Sequence, residues 1–202
     1  DPEYMNFGPL RVINDDRIQP GEGFPTHGHE NMEIISYILD GALEHKDSIG
    51  TGSVIQAGEV QRMSAGTGIQ HSEYNPSSEH GAHFLQIWII PGEMNIDPGY
   101  EQKMFDPADR RGDLTLVGAS DGRDGALKIH QDVDLYSAVL DEGNNVAVNL
   151  RDGRQAWVQV AKGNARLNGE QLSPGDGAAV SDETVFELTA TSDAEVLIFD
   201  MA

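Results

Sequence analysis

Short runs rich in Val, Ile, Leu and aromatic residues recur along the whole chain, each closed by Gly, Pro, Asn or Asp. This rhythm constrains the fold more than any other feature. The runs span residues 10–13, 32–39, 53–55, 84–90, 114–117, 136–140, 146–150, 156–160, 177–180 and 195–199. Segments with helical periodicity are nearly absent, so the pattern predicts an all-β chain. Asp40-Gly41, Asn168-Gly169 and Pro174-Gly175-Asp176-Gly177 mark tight turns where positive φ, or a φ fixed by proline, is needed.

With 202 residues the chain can form one large β domain or two domains of about 100 residues, and either buries a real core. The strand-like run 84–90 ends at Pro91, and the stretch from Pro91 to Gly112 is polar and broken by Pro98, Gly99 and Pro107. A linker is expected there. Residues 163–176 read as strand, hairpin turn, strand and glycine turn, repeating the texture of residues 41–59. Two β-barrels of similar plan in tandem follow, over residues 1–110 and 111–202.

Thirty-four acidic side chains against 13 basic ones give a net charge of −21. That field repels phosphate backbones, which excludes direct nucleic-acid binding as an expectation. The chain has no cysteine, so disulfides, thiolate metal sites and cysteine nucleophiles are absent. It has neither an apolar run long enough for a membrane helix nor the plan of a signal peptide, and a cytoplasmic protein is the default expectation. The chain starts at Asp1 and runs directly into Gly8-Pro9-Leu10-Arg11-Val12-Ile13, which reads as interior sequence with a native segment missing before it.

Two pairs of potential metal ligands stand out, His27-Gly28-His29 and His71-Ser72-Glu73. In a strand, residues two apart point to the same face, so each pair aims two donors at one spot. Together they would make a site of three nitrogens and one oxygen able to hold a divalent first-row metal. Glu33 shares the parity of His27 and His29, so spacing alone leaves it open as the oxygen donor. The second half holds only His130, so only the first can carry such a site.

The spacing of Gly21, His27, His29, Glu33 and Gly41 resembles the first signature of the cupin superfamily, with one extra residue between Glu33 and Gly41. Gly66, Gly68, His71 and Asn75 resemble the second, with Gly66 in the place of its proline. The strings Phe24-Pro25-Thr26-His27-Gly28-His29, Tyr37-Ile38-Leu39-Asp40-Gly41, His45-Lys46-Asp47-Ser48 and 61–73 are similar to those of the pirin family, over roughly residues 4–92. Beyond residue 112 the resemblance rests on length and bicupin plan.

The resemblance implies two cupin-type barrels (a bicupin), with His27, His29, His71 and Glu73 as metal ligands; Glu33 then remains a candidate to orient a histidine ring from outside the ligand set. It favours Fe(II); the donor types are compatible with Mn, Ni, Cu or Zn as well. Four protein ligands leave about two positions of an octahedral ion free. The implied activity is that of a quercetin 2,3-dioxygenase, in which a small aromatic flavonol and O2 react and carbon monoxide leaves. Glu73 would then double as the base that takes the substrate's 3-hydroxyl proton. A second implied role is a non-catalytic, iron-dependent regulator that binds a protein partner. A third possibility, a cupin isomerase or lyase, finds no sugar-phosphate clamp in the sequence.

The remaining candidates have plainer readings. His45 reads as a hairpin-surface or capping residue, His80 and His83 as loop and strand-end histidines, and His130 as structural. Phe24, Met32, Phe84 and Trp88 are candidates for an apolar wall above the metal, against a plain role in the core. Gln86, inside an apolar strand, needs hydrogen-bond partners, and a metal-bound water is one candidate. Gly66-Thr67-Gly68 reads as a turn.

Overall fold

The computed structural model describes residues 4–202; the expected segment before Asp1 lies outside the described residues. The chain forms β1 (Leu10–Ile18), β2 (Gly23–His29), β3 (Glu33–Asp40), β4 (Ala42–Asp47), β5 (Gly52–Gln56), β6 (Glu59–Ser64), β7 (Ile69–Tyr74), β8 (Ala82–Ile89) and β9 (Gly99–Met104). There follow β10 (Leu114–Ala119), β11 (Leu127–Lys128), β12 (Val133–Leu140), β13 (Asn145–Asn149), β14 (Gln155–Lys162), β15 (Ala165–Leu167), β16 (Glu170–Leu172), β17 (Gly177–Val180), β18 (Val185–Ala190) and β19 (Ala194–Met201). Each predicted run lies wholly or mostly within one of these strands. Among the described residues no helix is long and apolar enough to cross a membrane.

The described chain forms two compact units. The first reaches to Phe105 and takes in Leu127–Gln131; the second comprises Asp106–Ala126 and Asp132–Ala202. His130 therefore folds with the first unit, and the second contains no histidine.

In the first unit one antiparallel sheet runs β1-β8-β3-β6-β9 and the other β2-β7-β4-β5. Ile18, Ile38 and Phe84 of the first sheet meet Leu43 and Ile55 of the second in one buried cluster. Ile34, Met63 and Ala65 meet Ile69 in another, with Met32 and Trp88 packed against it. The two sheets thus face one another as an open, cupin-type barrel. Phe84 is plain core, while Met32 and Trp88 flank the second cluster.

Strand β9 corrects the linker reading, because it lies inside the stretch expected to be loop. Gly99-Tyr100-Glu101-Gln102-Lys103-Met104 has no apolar alternation, so the sequence pattern missed it. The ladder to β6 holds it in place, with Arg62 opposite Glu101 and Met63 opposite Tyr100. Side chains reinforce that ladder: Arg62 Nη2 lies 3.2 Å from Glu101 Oε2, and Ser53 and Tyr100 hydroxyls donate to Gln102 Oε1 at 2.6 and 2.7 Å.

The second unit repeats the plan. Its main sheet includes the order β10-β12-β19-β14-β17, facing β13-β18-β15-β16. Leu140, Val158, Val160, Val196 and Ile198 pack against Val148, Leu167, Phe186 and Leu188 in its core. The hairpin between β15 and β16 turns at Asn168-Gly169, both at positive φ (48° and 92°), as a two-residue hairpin with a primed turn requires.

Candidate metal centre

Strand β2 pairs with β7 so that His27 lies opposite His71 and Phe24 opposite Glu73. Three steps on β2 therefore match two on β7, a bulge that leaves one residue of the Pro25–Thr26 segment without a partner. Proline brings no N–H to the ladder, which suits it to that position. The bulge also turns the Pro25 carbonyl toward His27, whose Nδ1–H donates to it at 2.9 Å. That bond puts a proton on Nδ1 and, in the neutral ring, leaves Nε2 as a bare lone pair. Gly23, at the start of β2, lies so close to β7 that a Cβ there would sit 2.2 Å from the Glu73 carbonyl oxygen, so only glycine allows this approach.

The ring centroids of His27, His29 and His71 lie 4.7, 4.5 and 5.0 Å apart, and His27 Nε2 is 3.2 Å from His71 Nε2. One potential ligand atom from each of the three lies within 4.8 Å of the others. Burial, with His27 nearby, pushes the His29 pKa down to about 4. Burial, then His27 and His29, pushes that of His71 down to about 3. At neutral pH these two rings are uncharged and offer lone pairs. Trp88 stands edge-on to His29, with centroids 4.9 Å apart.

Glu73 is buried on the same strand, two residues beyond His71, and groups with His71 and His45 within 4.8 Å. Its side chain reaches the opposite sheet. Gln86 Nε2 donates to Oε2 at 2.8 Å, and the Ser36 hydroxyl makes a long 3.4 Å contact with Oε1. Trp88 Nε1–H donates to Gln86 Oε1 at 3.0 Å, which sets the amide so that its NH2 faces Glu73. The buried Gln86 thus finds its partners in Trp88 and Glu73 directly. Burial outweighs the Ser36 and Gln86 hydrogen bonds and pushes the Glu73 pKa up to about 7.

Two side chains stand elsewhere than the sequence reading placed them. Glu33 is fully buried, but its Oε2 accepts from the backbone N–H of His130 at 3.1 Å and lies 3.2 Å from that ring's Nδ1. It orients His130, not a ring of the cluster. His45, expected at a hairpin surface, is fully buried: its ring lies 5.3 Å from His71 and 4.9 Å from Tyr100, centroid to centroid. The signal was present in the alternation of β4, where buried Leu43 and His45 are separated by the less buried Glu44. His83 bonds Asp15 at 2.8 Å, away from the cluster.

Three imidazoles, two of them held neutral by burial, with a nearby carboxylate and no thiolate form a donor set that suits a divalent transition metal. Two imidazole nitrogens 3.2 Å apart, one of them a bare lone pair, are the arrangement a shared cation stabilises. A cavity of about 610 Å³ opens beside His29, bordered by Glu30, Ser48, Ile69 and Gln70.

The raised Glu73 pKa has a measurable consequence for the metal-free protein. An unfolded glutamate loses its proton near 4.5, whereas folded Glu73 keeps it to about 7. Its contribution to stability is therefore full below about pH 4.5 and is lost as pH rises through about 7. At about 1.4 kcal/mol per unit the loss is on the order of 3 kcal/mol. Glu73→Gln removes the titration, so the stability of the metal-free variant relative to wild type should rise by that order between about pH 5 and about pH 8. Denaturant midpoints measured across the range check it; parallel curves would contradict it.

The pirin family model matches residues 1–89, and that of the quercetinase C-terminal cupin domain matches residues 116–201. A protein of Escherichia coli strain K12 named quercetin 2,3-dioxygenase is 49% identical over 201 residues, covering 100% of this chain and 86% of that protein. A pirin-like protein of Caulobacter vibrioides is 43% identical over 204 residues, covering 100% and 87%. The crystal structure of YhhW from Escherichia coli superposes with a TM-score of 0.95 at 50% identity, over 100% of this chain and 85% of that one. The structure of bacterial pirin YhhW in complex with nickel(II) gives 0.93 at 49% identity, over 100% and 86%. With both halves matched by family models and the whole chain aligned to these relatives, the protein belongs to the pirin family and has its two cupin-type domains.

Proposed function

We propose that this protein is a metal-dependent dioxygenase of the quercetin 2,3-dioxygenase type, acting on a flavonol or a related enediol with O2. The observation that carries the reading is the convergence of His27, His29 and His71 beside the buried carboxylate of Glu73. The names of the Escherichia coli relatives and the nickel(II) complex of YhhW support it. His27, His29, His71 and Glu73 would hold one divalent ion, for which Fe(II) is our first assignment. When bound, that metal supplies Lewis acidity and a meeting point for O2 and the substrate oxygens.

The chain's own groups have defined tasks. The Pro25 carbonyl holds the His27 ring by Nδ1, keeping Nε2 turned to the centre. Trp88 and Gln86 clamp Glu73 Oε2, which leaves Oε1, with only the long Ser36 contact, as the atom where a proton is held. Glu73 takes the proton of the substrate 3-hydroxyl. As a metal ligand Glu73 could do so only by binding through one oxygen and taking the proton on the other.

An oxygen electrode tests the reading. Protein loaded in turn with Fe(II), Ni(II) and Mn(II) is given flavonols and simpler enediols. The reading expects oxygen uptake matched to substrate loss with at least one metal. Substrate turnover that is independent of oxygen would mark a cupin isomerase or lyase instead, and no turnover under any loading would sink the assignment.

A further inference from the structure

His45 is buried one strand away from His71, yet the metal-holding residues and the base proposed above leave it without a task. Its partners define what it can do. His45 Nε2 lies 3.0 Å from Asp47 Oδ2. Asp47 Oδ1 in turn accepts from the backbone N–H groups of Ile49 and Thr51 at 3.1 and 2.9 Å, which pins the carboxylate as an acceptor. A carboxylate that only accepts requires the His45 proton to sit on Nε2. In the neutral ring His45 Nδ1 is then a bare acceptor, and it is buried with no hydrogen-bond partner.

A second buried nitrogen in the same place also lacks a partner, His71 Nδ1. His71 turns its Nε2 toward His27. When that nitrogen gives its lone pair to a metal, the ring's proton must reside on Nδ1, which becomes a buried donor in need of an acceptor. His45 and His71 rings lie 5.3 Å apart, and potential ligand atoms of His45, His71 and Glu73 lie within 4.8 Å of one another. One orphan is an acceptor and the other becomes a donor, so each supplies what the other lacks. Tyr100, from the strand missed in the sequence, packs against the His45 ring, tilted by 34° with centroids 4.9 Å apart.

We propose that His45, oriented by Asp47 and Tyr100, is a positioning residue that accepts the Nδ1–H of metal-bound His71. The resulting chain runs Asp47, His45, His71, metal, and fixes the His71 tautomer. It rests on the metal-centre reading above. Partners of this kind orient ligand rings and raise their basicity, and their loss typically lowers metal affinity about 10–100-fold.

Asp47→Asn is the informative variant. Its amide oxygen can still accept from Ile49 and Thr51, while its NH2 now faces His45 Nε2 and moves the His45 proton to Nδ1. Two N–H groups then oppose each other at His45 and His71. The probe is zinc(II), and the readout is nitrogen-15 NMR of the histidine rings. In the zinc-loaded wild type we expect His71 Nε2 metal-bound, with an exchange-protected Nδ1–H coupled through the hydrogen bond to His45 Nδ1. In Asp47→Asn the coupling should vanish and zinc affinity fall about 10–100-fold. His45→Gln, which restores a neutral acceptor, should recover part of the affinity that His45→Leu loses. If zinc shifts the rings of His27, His29 and His71 while the His71 Nδ1–H is unprotected, or unchanged in Asp47→Asn, the positioning role is overturned and the metal centre stands. If zinc shifts none of the three rings, both fall.

Discussion

Replacing Glu73 by glutamine will lower metal-saturated oxygen uptake with a flavonol by about 10²–10⁴-fold, the range a positioned general base contributes. The size follows from the environment. Glu73 is 1% exposed, and Gln86 holds one of its oxygens at 2.8 Å, so few other groups can take over the proton. Glutamine keeps the volume and an oxygen but cannot accept a proton near pH 7. Because Glu73 is also a proposed ligand, uptake is to be measured at saturating metal, with bound metal quantified in the same sample. A loss of less than tenfold at full occupancy would show that another group is the base.

His71→Ala will have the largest effect on the metal itself. His71 is the residue common to both donor groups, His27 with His29 on one side and His45 with Glu73 on the other. Losing it removes a proposed ligand and leaves His27 Nε2 without its 3.2 Å neighbour. Affinity for nickel(II) or zinc(II), measured by competition with a chromophoric chelator, is expected to fall by more than the roughly 100-fold that loss of an outer hydrogen-bond partner can cost. His83→Ala is the control: that ring bonds Asp15 at a sheet edge, and its removal should leave metal affinity unchanged. Far-UV circular dichroism of His71→Ala separates loss of the ligand from loss of the fold.

The parts of the fold that were legible are those in which local chemistry and tertiary structure demand the same thing. The run 84–90 is apolar because β8 lies between β1 and β3 and is mostly buried. Asn168-Gly169 tolerates positive φ, and the hairpin requires it there. Strand β9 broke the correspondence because side-chain pairs with Arg62 and Ser53, distant in sequence, hold a polar stretch in the ladder.

The site shows the same division. The His27/His29 and His71/Glu73 pairs were visible because parity puts residues two apart on one face. Parity does not give depth, so His45 passed for a surface residue although Leu43 and His45 alternate as a buried set. Nor does it say which ring a carboxylate will meet. Glu33 shares the parity of His27 and His29, yet it bonds His130, which returns from nearly a hundred residues away in sequence. Gln86 was recognisable as a buried amide in need of partners, but Glu73 reaches it from the facing sheet. Pairing between strands and sheets decides these contacts.

X-ray absorption at the metal edge, on protein purified with its native metal, tests the central claim most directly. The account predicts one divalent ion per chain, with multiple scattering from about three imidazoles and at least one oxygen ligand at about 2.0–2.2 Å, as for comparable sites. A first shell without imidazole scattering, or a metal content far below one per chain in protein that remains folded, would contradict it.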